Sequence, residues 1–408
     1  MKRNIQLLVI LFASVAFTFS SCKKDENNLS NSPASSGTLD ISEKGMNPDE
    51  TDLAPEAAAR HNRGGYLYTE SNATALNEIL CYKQHGNGSL TLESTVASGG
   101  TGIGIFNGLG LDGQGALALS HNKKWLFAVN AGSNSISSFK VHNDGSLTLA
   151  NTISSGGTVP VSLSIHHHHL YVVNSTSSNI NGFQVGGGGT LTPIPGTNLP
   201  LSAAMTNPAQ ISFSPNGNYL YVTEKMTNMI TSYEVNGSGV ATFDVSYPST
   251  GVTPFGFSFG RDNFMVVSNA NAPGGMAVPN GSTATSYAGA NPGNLNDVNG
   301  AVGNNQTAAC WVATTNYGRF AYVTNTGSNT ISTYYVSPWG SLYLIHSSAS
   351  STGAAPKDIC VAANNYYVYA LNTGAQTIGG YQRAFLGDLN AIGTTPGLPE
   401  FATGLVAW

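Results

Sequence analysis

The fold of this chain is decided by the stretch Tyr219-Leu-Tyr-Val-Thr-Glu-Lys-Met-Thr-Asn-Met-Ile-Thr-Ser-Tyr233. It contains a short apolar strand that ends in a polar residue, then a turn, then a second strand that ends in an aromatic residue. Similar phrases occur seven times, and the polar residues of six copies are separated by 44, 50, 45, 56 and 47 residues. A period of roughly 40 to 50 residues is typical of a four-stranded propeller blade. The sequence therefore predicts an all-β fold, a seven-bladed β-propeller.

The other six copies support the same blade. They begin at Tyr66, Trp125, Leu170, Phe264, Phe320 and Tyr367. In the unit 208–251, the stretches 209–214, 219–223, 229–233 and 241–245 are predicted as its four strands. A glycine, a small residue and leucine mark the outer hairpin of several blades, because glycine tolerates the positive φ of a tight turn. These glycines are Gly88, Gly145, Gly189 and Gly340.

The two ends of the chain predict how the ring closes. Blade 1 begins near Gly64 with what matches a second strand, so its innermost strand is missing there. The last residues, Thr403-Gly-Leu-Val-Ala-Trp408, are similar to the innermost strand of blade 2. We therefore expect the C-terminal strand to complete blade 1, which would hide the open sheet edges. The propeller would span residues 64–408.

The N-terminal residues are predicted to be a targeting signal rather than part of the fold. Lys2 and Arg3 precede an apolar stretch from Ile5 to Phe19, and Phe19-Ser-Ser-Cys22 resembles a bacterial lipoprotein cleavage box. This pattern predicts a signal peptide at residues 1–21, acylation of Cys22 and a flexible tether at residues 22–63. An ordinary cleaved signal or a single spanning helix is the alternative. The prediction places the protein in the periplasm, outer membrane or cell surface of a bacterium, held to the membrane only by its lipid.

Charge and cysteine content limit the function classes. Without Lys2 and Arg3, the basic count falls from 16 to 14 against 21 acidic residues, which argues against nucleic acid as a partner. The exported body would keep Cys81, Cys310 and Cys360, an odd number that does not suit a disulfide framework. Buried thiols or a Cys310–Cys360 bridge are the alternatives. We predict no cofactor and no metal.

Three motifs that resemble catalytic or binding signatures are assigned structural roles. Gly108–Gly113 matches GxGxxG, but a strand rather than a helix is predicted after it. Gly256–Gly260 matches GxSxG, but lies in a predicted inner strand instead of a strand-to-helix elbow. The histidines 166–169 occupy a predicted hairpin, so a solvated turn is favoured over a metal site.

Candidate site residues are sought where a blade departs from the repeat. The polar column holds Asn in five blades, and Asn satisfies backbone groups in turns, whereas blade 4 holds Glu224 followed by Lys225. Because consecutive strands run antiparallel, the ends of second strands and the starts of innermost strands open on one face. A carboxylate there could act as a general base or bind a substrate hydroxyl; a structural Glu–Lys ion pair is the alternative. The predicted mouth of the ring collects Gln114, Ser162, Gln210, Gln306, Lys357, Asp358, Glu224 and Lys225.

Several phrases resemble the lactonase family of seven-bladed propellers, which includes propeller-type 6-phosphogluconolactonases and fungal carboxymuconate cyclases. They are Trp125-Leu-Phe-Ala-Val-Asn-Ala-Gly-Ser-Asn-Ser-Ile-Ser-Ser-Phe139 and the stretches 115–120, 213–225 and 320–331. The resemblance covers roughly residues 64–408 and implies the opening or closing of a lactone ring.

The chain departs from the phosphogluconolactonase branch at two places. The His-Pro-His segment of that branch corresponds to Asn207-Pro208-Ala209, although its acidic residue is kept as Glu224. The Asn-Arg-Gly-His-Asp segment corresponds to residues 325–329, which contain no Arg or His. A phosphorylated sugar would therefore lack the cations that usually hold a phosphate.

Two functional hypotheses follow. The resemblance implies an exported lactonase-like enzyme acting on a weakly charged lactone or sugar-like ligand. Glu224 and Lys225 would be catalytic, and Gln114, Gln210, Gln306, Lys357 and Asp358 would bind the substrate. The alternative is a propeller without catalysis that binds a ligand or a protein partner on one of its faces, since this fold serves many functions.

Overall fold

The computed structural model describes residues 64–105, 111, 114–290 and 293–408. These residues form seven antiparallel sheets, each with four strands or with a fourth strand split in two, and they contain no α-helix. The predicted all-β, seven-bladed propeller is confirmed. The predicted signal peptide, Cys22 and the tether at residues 22–63 lie outside the described residues.

The strands follow one another from the inside of each blade to the outside. Blades 1 to 3 contain β1 (Gly65–Glu70), β2 (Glu78–Gln84), β3 (Leu90–Ala97), β4 (Leu117–Leu119), β5 (Trp125–Asn130), β6 (Ser135–Val141), β7 (Leu147–Ser154), β8 (Pro160–His166), β9 (His169–Asn174), β10 (Asn179–Val185), β11 (Leu191–Pro193) and β12 (Leu199–Pro200). Blades 4 and 5 contain β13 (Pro208–Phe213), β14 (Tyr219–Glu224), β15 (Met229–Val235), β16 (Ala241–Pro248), β17 (Pro254–Phe259), β18 (Met265–Asn269), β19 (Thr283–Ala288), β20 (Asn296–Asp297) and β21 (Val302–Gly303).

The last two blades and the chain end complete the ring. They contain β22 (Ala309–Thr314), β23 (Phe320–Asn325), β24 (Thr330–Val336), β25 (Leu342–Ser351), β26 (Pro356–Val361), β27 (Tyr367–Asn372), β28 (Thr377–Arg383), β29 (Leu389–Pro396) and β30 (Thr403–Ala407). Short 3-10 helices occupy Arg261–Asn263, Pro273–Gly275 and Phe385–Gly387. No helix in the described ranges is long and apolar enough to cross a membrane.

The C-terminal strand closes the ring as the sequence predicts. Strand β30 pairs with β1 and so supplies the innermost strand of blade 1. It also contacts the innermost strands of blades 7 and 2, and each other innermost strand contacts the next. The first and last blades are therefore joined by the two ends of one chain.

The uneven spacing of the repeat has local causes in two blades. In blade 5, residues 270–282 separate β18 from β19, whereas four residues separate the corresponding strands of blade 4. In blade 3 the fourth strand is split into β11 and β12, and both parts pair with β10. Insertions at the edges of these blades thus lengthen the repeat without changing the ring.

Neighbouring blades contact each other through an aromatic side chain that packs on a glycine. Each aromatic residue lies at or next to the start of a second strand, and each glycine lies in the outer turn of the next blade. A Cβ on Gly145, for example, would lie 2.1 Å from Cδ1 of Tyr66. The seven pairs are Tyr66 with Gly145, Trp125 with Gly189, His169 with Gly239, Tyr219 with Gly293, Phe264 with Gly340, Phe320 with Gly387 and Tyr367 with Gly88.

Tyrosine hydroxyls fix several of the same turns. Tyr68 donates to the carbonyl of Gly145 at 2.8 Å, and Tyr369 donates to that of Gly88 at 2.7 Å. The second of these bonds joins blade 7 to blade 1. The outer turns are therefore held by both a close ring contact and a buried hydrogen bond.

The three cysteines of the propeller, Cys81, Cys310 and Cys360, are free and buried. The Cys310–Cys360 bridge is therefore not formed, and the buried-thiol alternative is the one that the structure shows.

We predict that Gly145→Ala destabilises the ring more than Gly196→Ala. The two glycines have nearly the same φ, +77° and +79°, but a Cβ on Gly196 has no atom within 4 Å. Both changes should cost about 1–2 kcal/mol for a left-handed alanine, and Gly145→Ala about 1–3 kcal/mol more for the clash with Tyr66. Urea unfolding of both variants measures the difference. Equal losses would show that the ring–glycine contact does not stabilise the fold.

Candidate functional site

One cavity of about 470 Å³ opens on the face where second strands end and innermost strands begin, which we call the mouth face. Thr326 and Thr373 directly follow the second strands β23 and β27, and residues 400–402 directly precede the closing strand β30. The volume falls within the roughly 300–1,000 Å³ of ligand sites. This mouth cavity is lined by Ile105, Leu111, Thr326, Ala355, Lys357, Thr373, Gly374, Gln376, Glu400, Phe401 and Ala402.

Among the described residues of the lining, Lys357 and Glu400 are charged. Lys357 is partly buried and Glu400 is exposed. An ammonium group can stabilise negative charge that develops on a carbonyl oxygen, and a carboxylate can accept a proton from water. The cavity thus combines an apolar wall with two groups that suit an addition to a carbonyl.

Two threonines fix the turn that carries Lys357. Thr326 donates to the carbonyl of Pro356 at 2.7 Å, and Thr373 donates to that of Ala355 at 3.3 Å. These hydroxyls come from the ends of second strands in blades 6 and 7. The backbone just before Lys357 is therefore fixed by hydrogen bonds from two neighbouring blades.

Asp358, the next residue, is only 2% exposed and does not line the cavity. Its carboxyl accepts the N–H of Ile359 at 2.8 Å and the N–H of Leu405 in the closing strand. Burial raises the pKa of Asp358 to about 8. The structure therefore places this predicted substrate ligand at the seam between blades 7 and 1.

Gln114 crosses the axis of the ring. Its backbone N–H donates to Ala209 in blade 4, and its amide pairs with both the C=O and the N–H of Val312 in blade 6, at 2.9 and 3.2 Å. A Cβ on Gly256 in blade 5 would lie 2.0 Å from its Oε1. The Gln114 amide thus pairs with an inner strand edge, and Gly256 leaves the space that it needs.

Gln210 and Ser162 satisfy inner strand edges of the neighbouring blade. The amide of Gln210 donates to the carbonyl of Phe257 at 3.0 Å and accepts its N–H at 2.7 Å. Ser162 Oγ accepts the N–H of Ile211 at 3.1 Å. These contacts give both side chains a structural role, because buried backbone groups need partners.

Gln306 lies farther out in the ring. Its amide donates to Ser347 at 2.9 Å and accepts from Thr330 at 2.8 Å. These partners belong to the third and fourth strands of blade 6. The structure therefore does not bring Gln306 together with the residues of the innermost strands.

Glu224 is fully buried and surrounded by donors. The N–H and the hydroxyl of Ser202, Thr227 at 2.6 Å and Thr231 at 2.5 Å all donate to its carboxylate. A carboxylate with four donors and no exposed surface is suited to fixing loops rather than to activating water. These contacts favour a structural role for Glu224, with hydroxyl and backbone donors as its partners.

Lys225 follows Glu224 and is 7% exposed. Its Nζ lies 4.8 Å from the centroid of the Phe255 ring, at the start of the innermost strand of blade 5. A cation over an aromatic face is stabilising. Of the predicted mouth residues, only Lys357 lines the cavity.

Sequence reasoning missed Glu400 and Phe401. They belong to the segment Pro399-Glu-Phe-Ala402, which joins the outer strand of blade 7 to the closing strand. The prediction considered the starts of innermost strands and the ends of second strands, but not the loops that lead to them. The sequence signal for both residues was a charged and an aromatic side chain in the loop before the predicted closing strand.

The motifs assigned structural roles lie in strands and turns. Ser258 is part of β17 and exchanges a hydrogen bond with Thr314 at 2.8 Å. His166 and His169 pair across the hairpin from β8 to β9; burial lowers the pKa of both. In the described residues, no group of three or more His, Cys, Asp or Glu side chains is placed to hold a metal ion. Most of Gly108–Gly113 lies outside the described residues.

A protein-family model described as a lactonase with a seven-bladed β-propeller matches residues 41–198, 167–274 and 292–403. Curated protein sequences contain no match to this chain.

Solved structures with the same fold include three bacterial proteins. A protein from Lactobacillus plantarum has 17% identity and a TM-score of 0.68, covering 85% of this chain and 100% of its own. One from Bacteroides uniformis, provisionally assigned as a 6-phosphogluconolactonase, has 17% identity, a TM-score of 0.67 and the same coverage. A periplasmic gluconolactonase from Pseudomonas aeruginosa has 15% identity and a TM-score of 0.63, covering 85% and 99%.

We predict that Asp358→Asn changes how stability depends on pH. The folded carboxyl keeps its proton up to about pH 8, whereas the unfolded one ionises near its ordinary pKa of 3.8. The unfolded state therefore binds fewer protons between these values, and the wild type loses up to about 1.4 kcal/mol per pH unit as pH rises. The amide that replaces the carboxyl cannot titrate, so this part of the decline should disappear.

Urea unfolding of both proteins from pH 4 to pH 8 measures the effect. Burial also raises the pKa of Glu70, which is fully buried. Its contribution is present in both proteins and cancels in the comparison. Parallel pH curves would show that Asp358 is ionised in the folded ring.

Proposed function

Since the chain belongs to the lactonase family of seven-bladed β-propellers, we propose that it hydrolyses a weakly charged lactone at the mouth cavity. The observation that carries this proposal is the shared cavity of Lys357 and Glu400. The apolar residues of the lining, Ile105, Leu111, Phe401 and Ala402, would shield part of the ligand from water, which strengthens electrostatic interactions with the two charged groups.

The proposed reaction is the addition of water to the lactone carbonyl carbon. Glu400 accepts a proton as the water oxygen forms its bond to carbon, and Lys357 stabilises the resulting oxyanion. The bond between that carbon and the ring oxygen then breaks, and the ring oxygen receives the proton from Glu400. The product is the open hydroxy acid.

The charge of the cavity favours a substrate without a phosphate. Among the described residues of the lining there is no arginine, and Lys357 is the one basic residue. Phosphate recognition usually uses the bidentate fork of arginine or several cations. An uncharged lactone or one with a single carboxylate suits this lining better.

The second candidate function is ligand binding without catalysis. The four donors around Glu224 support it, because they engage the one acidic residue that the chain shares with the phosphogluconolactonase branch. In that case Lys357 and Glu400 would hold a polar ligand by charge and hydrogen bonds. A protein partner on a propeller face belongs to the same alternative.

We further propose that the chain is exported as a bacterial lipoprotein and held at the membrane through Cys22. The basic start, the apolar stretch and the Phe19-Ser-Ser-Cys22 box support this localisation. The tether at residues 22–63 would then separate the lipid from the propeller.

We predict that Lys357→Met and Glu400→Gln each lower kcat/KM about 100-fold or more on a hydrolysed lactone, because each removes a group that acts in the transition state. Glu224→Gln should keep kcat/KM but lower the unfolding midpoint, since an amide N–H would face hydroxyl donors. A panel of lactones, followed by pH-stat titration, measures turnover.

Loss of turnover in Glu224→Gln with an unchanged fold would show that Glu224 has a catalytic role. Wild-type protein that binds lactones in calorimetry but hydrolyses none would support the binding alternative. Full activity in both Lys357→Met and Glu400→Gln would overturn the proposed site.

For localisation, we predict that the full chain expressed in a bacterium incorporates labelled palmitate and partitions into the detergent phase of Triton X-114. Cys22→Ala should lose the label and move to the aqueous phase, because it removes the acylated thiol. Palmitate labelling that persists in Cys22→Ala would contradict the predicted lipid site.

A further inference from the structure

From the apolar wall of the mouth cavity we infer that its ligand is a lactone with an aliphatic substituent rather than a polyhydroxylated sugar lactone. This inference rests on the proposed function, and it adds the substrate class. It places the lactone carbonyl near Lys357 and Glu400 and the aliphatic chain along Ile105 and Phe401.

The apolar wall comes from two loops that meet on the mouth face. Ile105 lies in the loop after blade 1, and its side chain is 61% exposed. Phe401 lies in the loop before the closing strand, and its ring carbon would be 3.6 Å from a Cβ on the neighbouring Gly104. Leu111 and Ala402 extend the same lining. An exposed isoleucine beside an aromatic ring in a cavity is apolar surface that a ligand chain could cover.

Two of the five polar side chains in the described lining are already engaged. The hydroxyls of Thr326 and Thr373 already donate to backbone carbonyls of the turn that carries Lys357. A sugar lactone would bring several hydroxyls, and each one buried without a partner weakens binding. A lactone with one carbonyl, one ring oxygen and a hydrocarbon chain needs far fewer polar partners.

The size of the cavity also leaves space beyond the lactone ring. Its volume of about 470 Å³ is in the range of sites for drug-sized ligands, which are larger than a six-membered ring alone. Burial of successive methylenes against the wall should therefore strengthen binding and transition-state stabilisation alike. We expect about a fourfold gain in kcat/KM per methylene until the wall is covered.

The experiment compares δ-valerolactone with δ-lactones that carry alkyl chains of one to seven carbons, and with glucono-δ-lactone, after subtraction of spontaneous hydrolysis. In the wild type, kcat/KM should rise with chain length and exceed that for glucono-δ-lactone. Ile105→Ser should reduce the slope, because it removes part of the wall. Met276→Ser is the matched control, since Met276 is 78% exposed, lies on the mouth face and does not line the cavity.

A flat dependence on chain length, or a higher kcat/KM for glucono-δ-lactone, would overturn the inference and leave lactone hydrolysis standing. Equal slopes in Ile105→Ser and the wild type would also overturn it. Calorimetry with the corresponding alkyl δ-lactams separates binding from turnover. Lactam affinity that rises with chain length in a protein without turnover would support the ligand class and reject hydrolysis; no binding and no turnover would reject both.

Discussion

The contact on which this propeller depends is the packing of an aromatic side chain against a glycine of the next blade. It occurs at all seven blade interfaces, including the one between blade 7 and blade 1. A side chain on the glycine would occupy the position of the ring, so the two residue types are needed together. Because the contact recurs at every interface, it helps to position each blade against the next around the propeller. His169 fills the ring position of blade 3, which explains one residue of the histidine tract.

The innermost strands present a second constraint, because their backbone edges face a narrow axial space. Gln114 crosses this space from blade 2 and pairs with Val312 in blade 6, while Gln210 pairs with Phe257 in blade 5. Each amide imitates a peptide group and so satisfies a buried donor and a buried acceptor. These axial polar side chains therefore stabilise the fold. The proposed ligand site instead uses the loops of the mouth face, where these amides are not needed to satisfy strand edges.

The candidate site shows what residue patterns could and could not predict. The face was accessible to prediction, because antiparallel order alone puts the ends of second strands beside the starts of innermost strands. Lys357 was found for the same reason. Glu224 was singled out because it breaks the Asn column, but a break in a repeat can also reflect a local need for hydrogen bonds. Ser202 supplies two of the hydrogen-bond donors to Glu224. The loop that contains Ser202 is not part of the repeated sequence phrase, so comparing the repeats could not predict these bonds.

The sequence by itself determined the fold class, the number of blades and the closing strand, because strand alternation, turn glycines and the period are local properties repeated seven times. The two ends were informative for the same reason, since an incomplete first copy requires a strand from elsewhere. Only the tertiary structure decided which polar residues are available. Gln114, Gln210 and Asp358 face partners that are distant in sequence, and Glu400 reaches the cavity through a loop outside the repeat. Whether a polar side chain can contact a ligand depends on which groups it contacts across the propeller, and no local sequence pattern encodes those contacts.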